Sequence, residues 1–349
     1  MDETLHVVVP AGIDDLARPS GGNVYDRRIC AELVAAGWTV AEHHAPGAWP
    51  DPRPADEACL DALLGTLPAR AVVLVDGLVA SAAPDPVLRY ADRLRLAVLV
   101  HLPLGVTAPA RRASEAAVLA RVAAVVTTSA WTSSWLVDHY RLPADRITAA
   151  VPGTDAAELA TGTPSGGEVV CVGAVTPTKG HDVLLAALTE IRDLSWRCVC
   201  VGALDVDTTF AGRLRDRVAA TGLADRVVFT GPLTGADLDA AYRAADVLVL
   251  PSRAETYGMV VGEALARGLP VVATSAGGVP QALGHGPVGT PGALVPPDDP
   301  AALAAELRSW LEDPDHRARL RLAARARRPT LPTWRDPADR ISRVIGGLS

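Results

Sequence analysis

Residues 246–278 read DVLVLPSRAETYGMVVGEALARGLPVVATSAGG, and this stretch decides the fold class that the sequence predicts. The run VLVL at 247–250 is short, continuous and apolar, which is typical of a strand buried on both faces of a sheet. Gly258 then opens a helical pattern that ends before Pro270, and a second apolar run follows at 271–274. A strand, a helix and a second strand in this order predict one unit of a parallel α/β sheet.

Two glutamates flank the start of the predicted helix. Glu255 lies in the loop before it, and Glu263 lies about a turn and a half along it. The amides of Gly258 and Met259 at the helix N-terminus, together with the helix dipole, attract phosphate. Carboxylates repel phosphate but accept hydrogen bonds from sugar hydroxyls. The combination indicates a sugar nucleotide that lies across the helix start.

This stretch resembles the retaining glycosyltransferases of the GT-B fold in family 4, also called glycosyl transferases group 1. Glu255 and Glu263 match the E-x7-E signature of that family, with Gly258 between them. The resemblance implies that Glu255 contacts the transferred sugar and that Glu263 holds the ribose hydroxyls. The donor-binding residues that it implies in this stretch are Arg253, Glu255, Tyr257, Gly258, Met259, Val260 and Glu263.

The whole chain repeats the alternation of strands and helices. Its 349 residues exceed the ~250–300 at which one core usually stops growing, so we expect two domains. Predicted strands lie at 5–9, 38–43, 71–76, 96–101, 125–129 and 147–151, and again at 168–172, 197–201, 227–230, 247–250 and 271–274. This predicts an α/β fold with doubly wound parallel sheets.

The resemblance implies the GT-B arrangement, in which two Rossmann-like domains face a central cleft. We expect residues 1–160 to form the N-terminal acceptor-binding domain and residues 161–330 to form the C-terminal domain that binds the nucleotide sugar. Residues 331–349 are expected to form a helix that crosses back to the first domain.

The loop GAVTPTKG at 173–180 contains Lys179, the one lysine among 33 lysine and arginine residues. A compact ammonium suits a phosphate group, and Gly180 opens the next helix. The loop fails the Walker A pattern, because Thr178 stands at the position of the second glycine. Family members carry a Lys-Gly pair here, so we predict that Lys179 binds the donor phosphate and takes part in catalysis together with Glu255.

Two features of the first half are candidates for the same site. Gly21 and Gly22 precede a predicted helix that begins near Asn23, and glycines there allow a ligand to approach the backbone. His101 ends a predicted strand. The resemblance implies that Gly21 and Gly22 face the donor phosphates and the acceptor, and that His101 has a catalytic role next to the transferred sugar.

The composition argues against several classes of partner. The net charge is −7, and no basic cluster is concentrated enough to form a nucleic-acid-binding face. We interpret the arginine-rich helix at 317–328 as a solvated face rather than a contact with an anionic membrane. Asp205 and Asp207 have the D-x-D spacing of metal sites in another glycosyltransferase fold, but Asp207 is placed to cap the helix that follows, so no metal is expected. The oligomeric state is left open.

The cysteines and the chain start favour a cytoplasmic protein. We expect no signal peptide, since Asp2 and Glu3 lead directly into a strand, and no apolar run reaches the ~20 residues that span a bilayer. No C-x2-C pair occurs, so we expect reduced thiols in the core. The cysteines are Cys30, Cys59, Cys171, Cys198 and Cys200.

These features predict a retaining, metal-independent glycosyltransferase of the hexosyltransferase type. Its donor is expected to be a nucleotide sugar, with a UDP-sugar the family's commonest choice, and its acceptor a hydroxyl of a small molecule or of a glycoconjugate precursor. No further cofactor is expected. Two alternatives stay open: a nonhydrolysing sugar-nucleotide epimerase and a noncatalytic sugar-nucleotide-binding protein. Ala174 supports the second, because many family members have an arginine there that helps hold the diphosphate.

Overall fold

The computed structural model describes residues 4–15 and 17–348, and the chain divides into two compact units. The first comprises Met1–Asp15, Ser20–Gly153 and Pro332–Ser349, and the second comprises Leu16–Pro19 and Thr154–Leu331. Each unit contains a six-stranded parallel sheet flanked in sequence by helices. The predicted α/β fold class is therefore confirmed.

The first sheet has the strand order β2-β1-β3-β4-β5-β6. Asp76, the last residue of β3, pairs in register with Leu99 of β4, so the two strands end at nearly the same level. The strands are β1 (Thr4–Pro10), β2 (Thr39–Ala45), β3 (Val72–Asp76), β4 (Arg95–Val100), β5 (Ala124–Thr127) and β6 (Ile147–Ala149). The helices are α1 (Gly21–Ala35), α2 (Pro54–Thr66), α3 (Gly77–Ala82), α4 (Pro84–Tyr90), α5 (Leu104–Thr107), α6 (Arg112–Arg121) and α7 (Ala130–Tyr140).

The second sheet has the strand order β12-β11-β10-β7-β8-β9. Its strands are β7 (Glu168–Val172), β8 (Arg197–Val201), β9 (Val227–Gly231), β10 (Val247–Leu250), β11 (Val271–Thr274) and β12 (Gly292–Val295). The helices of this unit are α8 (His181–Glu190), α9 (Thr208–Ala220), α10 (Gly235–Ala244), α11 (Met259–Ala266), α12 (Val279–Leu283), α13 (Pro300–Glu312) and α14 (Pro314–Arg327). The last helix of the chain, α15 (Arg335–Gly346), belongs to the first unit.

The central strands are buried on both faces, which explains why their sequences are uninterrupted apolar runs. Every residue of β3, β5, β10 and β11 is buried. Helices cover both faces of parallel sheets of this kind, so no face of a central strand needs polar residues. One aliphatic core packs in each unit. Trp310 of α13 is the largest side chain of the second core that has no exposed surface.

Some local expectations differ from the structure. The helix α1 begins at Gly21 rather than near Asn23, because Ser20 caps it by accepting from the Asn23 amide. The sequence also predicts one helix at 108–122, but the structure has a 3-10 turn at Pro109–Arg111 that leads into α6 at Arg112. Ala108 is not helical, since a proline disfavours helical geometry in the residue before it. The short helix α12 was not predicted. Asp207 caps α9 as the sequence predicts, by accepting from the Phe210 amide at 2.8 Å.

Two findings concern exposure. Four of the cysteines are buried thiols, but Cys59 on α2 is exposed, so the expectation that it is a core residue was wrong. Within residues 4–15 and 17–348, no helix has both the length and the apolar character needed to cross a bilayer.

The helix α15 packs within the first unit, beside α1. Ile341 and Ile345 have no exposed surface, and Trp38 Nε1 donates to Ser342 Oγ at 2.8 Å. The first unit is therefore completed by a segment that follows the whole second unit in the sequence.

A buried carboxylate, Asp246, connects four segments of the second unit. Its side chain has no exposed surface. It accepts from the amide and hydroxyl of Thr163, from the Glu168 amide at 2.9 Å and from Arg321 Nη2 at 2.7 Å. A buried charge is tolerated when it is paired and fully hydrogen-bonded. Asp246 thereby fixes the start of β10 against β7 and α14.

We predict that Asp246→Ala lowers the free energy of unfolding by about 3–5 kcal/mol, because it leaves Arg321 and two amides without their buried partner. Urea unfolding followed by circular dichroism measures the change. The matched control is Asp216→Ala on the exposed face of α9, where we expect a change within about 0.5 kcal/mol. Equal effects of the two variants would contradict the proposed importance of Asp246.

Candidate functional site

The loops that follow β7 and β10 meet at one edge of the second sheet. These strands are neighbours, and the strand order continues through β8 and β9 on one side and through β11 and β12 on the other. Ligands of open α/β sheets bind at such a switch point, beyond the carboxyl ends of the strands. Every donor-binding residue predicted in the second half lies in these two loops, at 173–180 and 251–258, or in α11.

Lys179 and Glu255 form an ion pair that links the two loops. Lys179 Nζ donates to Glu255 Oε1, and the Ser252 hydroxyl donates to the same oxygen at 3.0 Å. The Glu255 side chain is 9% exposed, whereas that of Lys179 is 31% exposed. An ammonium has three N–H donors, so this bond leaves Lys179 able to donate to a further anion.

Close backbone contacts hold the two loops in place. Gly180 has a φ of 69°, and a Cβ atom there would overlap the Pro251 carbonyl oxygen. Gly277, in the segment between β11 and α12, has a φ of 52°, and a Cβ atom there would overlap the Glu255 carbonyl oxygen. The same Glu255 oxygen accepts from the Gly278 amide at 3.0 Å. These positions require glycine both for the backbone conformation and for the space.

Arg253 braces the loops rather than extending freely from them. Its two Nη atoms donate to the two carboxylate oxygens of Asp182 at 2.8 Å each, and its Nε donates to Asp298 at 2.5 Å. The hydrogen bonds to Asp182 and the neighbouring carboxylate of Asp298 raise the pKa of the guanidinium. The structure thus gives Arg253 a connecting role, and its predicted contact with the donor stays a prediction.

The helix α11 begins directly after the second loop. Gly258 is its N-cap, in the left-handed conformation with a φ of 88°. The first N–H groups of a helix have no partner within the helix, so the backbone amides at this end are available to a ligand. Tyr257 and Gly258 are buried, whereas Met259 and Val260 are half-buried.

Glu263 is held from the side by Tyr242 of α10. The Tyr242 hydroxyl donates to Glu263 Oε2 at 2.7 Å, and Tyr242 has no exposed surface. Burial raises the pKa of Glu263, against the opposing effects of the Tyr242 hydrogen bond and the Arg267 charge. The hydrogen bond occupies one carboxylate oxygen and leaves Oε1 to accept from a ligand.

In the first unit, His101 lies just beyond β4 and contacts two aspartates. Its Nε2 is 2.8 Å from Asp26 Oδ1 and 3.4 Å from Asp76 Oδ2. Burial lowers the pKa of His101, but the charge of Asp26 and its hydrogen bond outweigh burial and raise the pKa to about 9. Gly22 lies against the ring, since a Cβ atom there would be 3.3 Å from His101 Cδ2, while Gly21 is exposed at the start of α1.

Asp26, Asp76 and His101 are also, in the described part of the chain, the one group of three or more histidine, cysteine or acidic residues whose ligand-type atoms all lie within 4.8 Å of one another. The separation of 2.8 Å between Nε2 and Oδ1 is that of a hydrogen bond. That bond engages the ring nitrogen that faces the carboxylates, so we interpret the group as a hydrogen-bonded cluster.

Sequence reasoning identified the glutamates, Lys179 and His101 but missed their partners. The sequence contained a signal for Asp76. Asp76 ends one predicted apolar strand and His101 ends the next one along the chain, and neighbouring parallel strands end at the same edge of a sheet. The contacts of Asp26 and Tyr242 leave no local signal, because each residue reaches the site from the side of a helix. The partners that were missed are Asp26, Asp76, Asp182, Tyr242 and Ser252.

Comparison with known proteins identifies relatives of this chain. The family model described as glycosyl transferases group 1 matches residues 164–327. D-inositol 3-phosphate glycosyltransferase 1 of Catenulispora acidiphila is 31% identical over 293 residues, which are 77% of this chain and 68% of the relative. D-inositol 3-phosphate glycosyltransferase of Stackebrandtia nassauensis is 34% identical over 254 residues, 68% of this chain and 56% of the relative. The chain thus spans only about half the length of several of the curated relatives that it matches.

Solved structures share the fold. Sucrose-phosphate synthase from Thermosynechococcus elongatus superposes with a TM-score of 0.80 at 22% identity, covering 99% of both chains. Anabaena HepE in complex with UDP-glucose superposes with a TM-score of 0.79 at 18% identity, again covering 99% of both chains. At these identities the likeness establishes the fold, which is that of the GT-B glycosyltransferases.

We predict that Gly277→Ala lowers the free energy of unfolding by about 1–3 kcal/mol, because the methyl group overlaps the Glu255 carbonyl and strains a left-handed residue. Urea unfolding measures the loss. The matched control is Gly212→Ala within α9, where a Cβ atom meets nothing within 4 Å and better helix propensity adds up to about 1 kcal/mol. If Gly277→Ala left the free energy of unfolding unchanged, the loop at 251–258 would not be held by the contact between Gly277 and the Glu255 carbonyl.

Proposed function

The chain belongs to the glycosyl transferases group 1 family, and from this premise we propose that it is a retaining glycosyltransferase that uses a nucleotide sugar. The observation that carries the proposal is the Lys179–Glu255 ion pair at the switch point of the second sheet, beside the N-terminus of α11. This places a cation, a carboxylate and free amides together, which are the groups that a sugar diphosphate requires.

The donor is a nucleotide sugar bound by the second unit, with a UDP-sugar the first choice. Anabaena HepE, which shares the fold, binds UDP-glucose. We assign the ribose hydroxyls to Glu263 and the transferred sugar to Glu255. The hydrogen bond from Tyr242 supports the first assignment, because it fixes the carboxylate that must accept from two neighbouring hydroxyls.

The chemistry rests on stabilising the leaving diphosphate. As the glycosidic bond to the β-phosphate breaks, negative charge grows on that phosphate. Lys179 and the first amides of α11 are positioned to meet this charge, and preorganised donors of this kind are usually the largest single contribution to catalysis. A nucleoside diphosphate is already a stable anion, so a strong general acid is unnecessary. We propose that the acceptor hydroxyl attacks from the face that the diphosphate leaves, which retains the anomeric configuration.

The second phosphate charge needs a partner, since Ala174 stands where family members often carry an arginine. Arg253 is engaged by Asp182 and Asp298. We therefore propose that the amides of Gly258, Met259 and Val260, with the positive end of the α11 dipole, take over this role.

For the acceptor we propose a small soluble molecule with free hydroxyls, to be met by groups of the first unit that include His101 and Gly22. The curated relatives are named for D-inositol 3-phosphate, which makes that compound the first to test. An assay with donor alone distinguishes the epimerase alternative, because an epimerase produces an altered donor sugar without any acceptor.

A thermal-shift panel of UDP-, GDP-, ADP- and dTDP-sugars tests the donor site directly. We expect stabilisation by one nucleotide class, because a ligand that binds only the folded state raises the melting temperature. The absence of a shift with every donor would contradict the proposed function.

We predict that Lys179→Met weakens binding of that donor by about 10- to 100-fold, as expected for loss of a charge-assisted hydrogen bond of roughly 1.5–3 kcal/mol. Isothermal titration calorimetry measures the change. The control is Arg215→Ala on the exposed face of α9, which removes a positive charge away from the loops and should leave affinity unchanged. An unchanged Kd in Lys179→Met would refute the phosphate role.

Tyr242→Phe should also weaken binding of the nucleotide-sugar donor, by about 3- to 10-fold, because Glu263 loses a hydrogen bond of about 1 kcal/mol. Comparing a nucleoside diphosphate with its 2′-deoxy analogue gives the diagnostic measurement. The loss of affinity in Tyr242→Phe should largely disappear for the 2′-deoxy compound, since it lacks a hydroxyl that would donate to Glu263. Equal losses for both nucleotides would mean that Glu263 does not hold the ribose.

A further inference from the structure

In the first unit, two buried aspartates, Asp26 and Asp76, both contact His101. Asp26 projects from α1 and is 3% exposed, and Asp76 is 6% exposed. Asp76 Oδ1 already caps α3 by accepting from the amides of Leu78 and Val79. Both aspartates approach the same ring atom, Nε2 of His101.

This geometry fixes the proton on Nε2. A carboxylate without a proton can only accept, so a nitrogen that faces two carboxylates must donate. The other ring nitrogen, Nδ1, then has one of two roles: it accepts when the ring is neutral and donates when the ring is charged. No hydrogen bond of Nδ1 is recorded within residues 4–15 and 17–348, and the His101 side chain is 18% exposed.

The surroundings favour the charged ring. The small cavity beside the carboxylates has a volume of about 10 Å³, room for about one water molecule and too little for a ligand, and apolar side chains such as Val7, Ile29 and Leu99 line the rest of it. A buried carboxylate in apolar surroundings keeps its charge only where a cation or hydrogen bonds compensate it. His101 is the cation within reach of Asp26 among the described residues.

The other groups around the ring carry no competing charge. Tyr25 of α1 meets it edge-on, with ring centroids 5.3 Å apart, and donates its hydroxyl to the Ala150 carbonyl at 2.7 Å. Burial raises the pKa of Tyr25, so that hydroxyl stays neutral. From the segment after β5, the Thr128 hydroxyl donates to the His101 carbonyl oxygen at 3.4 Å. The charge of His101 therefore depends on Asp26 and Asp76.

We propose that Asp26 is a positioning residue that keeps His101 as a positively charged hydrogen-bond donor, with its Nδ1–H free to bind an oxygen atom of the substrate. The effect of Asp26 on turnover rests on the glycosyl transfer proposed above, whereas its effect on the charge of His101 does not. Burial also raises the pKa of Asp76, helped by the charge of Asp26, which leaves Asp26 as the principal ionised partner.

NMR titration of the histidine ring signals tests the charge directly, with His101→Gln to assign the His101 signal. We expect a midpoint near 9 in the wild-type chain, unchanged by excess EDTA. In Asp26→Asn, which keeps the shape and an acceptor oxygen, the midpoint should fall by roughly 1–3 units, the usual effect of removing a neighbouring charge. Asp76→Asn is the matched variant and should lower it less, because Asp76 lies farther from Nε2.

The pH dependence of turnover then separates positioning from a purely structural role. Above the midpoint His101 loses its proton, so the activity of the wild-type chain should fall as the pH rises through about 9. For Asp26→Asn we expect kcat/KM at pH 8 to drop by roughly 2- to 100-fold, as follows from a midpoint lower by 1–3 units, with recovery at pH 6. A structural defect would lower kcat/KM equally at both values.

Three results overturn the inference: a wild-type His101 midpoint near 6.5, a midpoint that EDTA shifts, or an Asp26→Asn loss that is independent of pH. The first two need the wild-type chain and His101→Gln for the assignment, and they stand even if Asp26→Asn fails to fold, which thermal unfolding reveals. A high midpoint in a chain that transfers no sugar from any donor supports the assignment of charge and contradicts the proposed function alone.

Discussion

The adjacency of β7 and β10 is the constraint on which the second unit depends. Strand order runs away from this pair in both directions, so the loops that follow the two strands have no strand between them. They approach each other where a side chain is absent, since a Cβ atom at Gly180 would overlap the Pro251 carbonyl oxygen. Gly277, which follows β11, makes the same kind of contact with the Glu255 carbonyl oxygen. The ion pair of Lys179 with Glu255 and the bracing by Arg253 are consequences of this close approach.

The arginine-rich composition becomes intelligible from the contacts. Arginine presents a planar fork of donors that can bridge several acceptors at once. In this chain, several arginines donate to carboxylates and backbone carbonyls of other segments. Arg321 reaches the buried Asp246, and Arg328 donates to the carbonyls of Ala157 and Ala266. The arginine-rich segment 317–328 thus contributes internal contacts and is not only the solvated face that its sequence indicated. The lysine at 179 stands out against this background, because one compact ammonium is kept where loops and helix start converge.

The sequence was sufficient to predict most of the strands. Eleven of the twelve were located, since burial on both faces leaves runs such as 247–250 without polar interruption. A resemblance then supplied roles for Glu255 and Glu263, which stay predictions. The helix boundaries were less predictable, because they depend on capping contacts such as that of Ser20. The partners of the functional side chains could not be predicted: Asp26 meets His101 across 75 residues of sequence, and Tyr242 meets Glu263 from another helix. Such contacts are set by packing, which local periodicity does not encode.

The placement of α15 has a consequence for how the molecule is made. A ribosome completes β1 to β6 and then the entire second unit before it produces the helix that covers Trp38 and packs beside α1. Domains generally fold as units in the order of synthesis. Here the first unit cannot complete its packing until the last segment of the chain has been synthesised. During that interval α1, which carries Asp26, lacks its neighbour. The nascent chain therefore exposes the apolar surface that Ile341 and Ile345 later bury, and chaperones would meet it there.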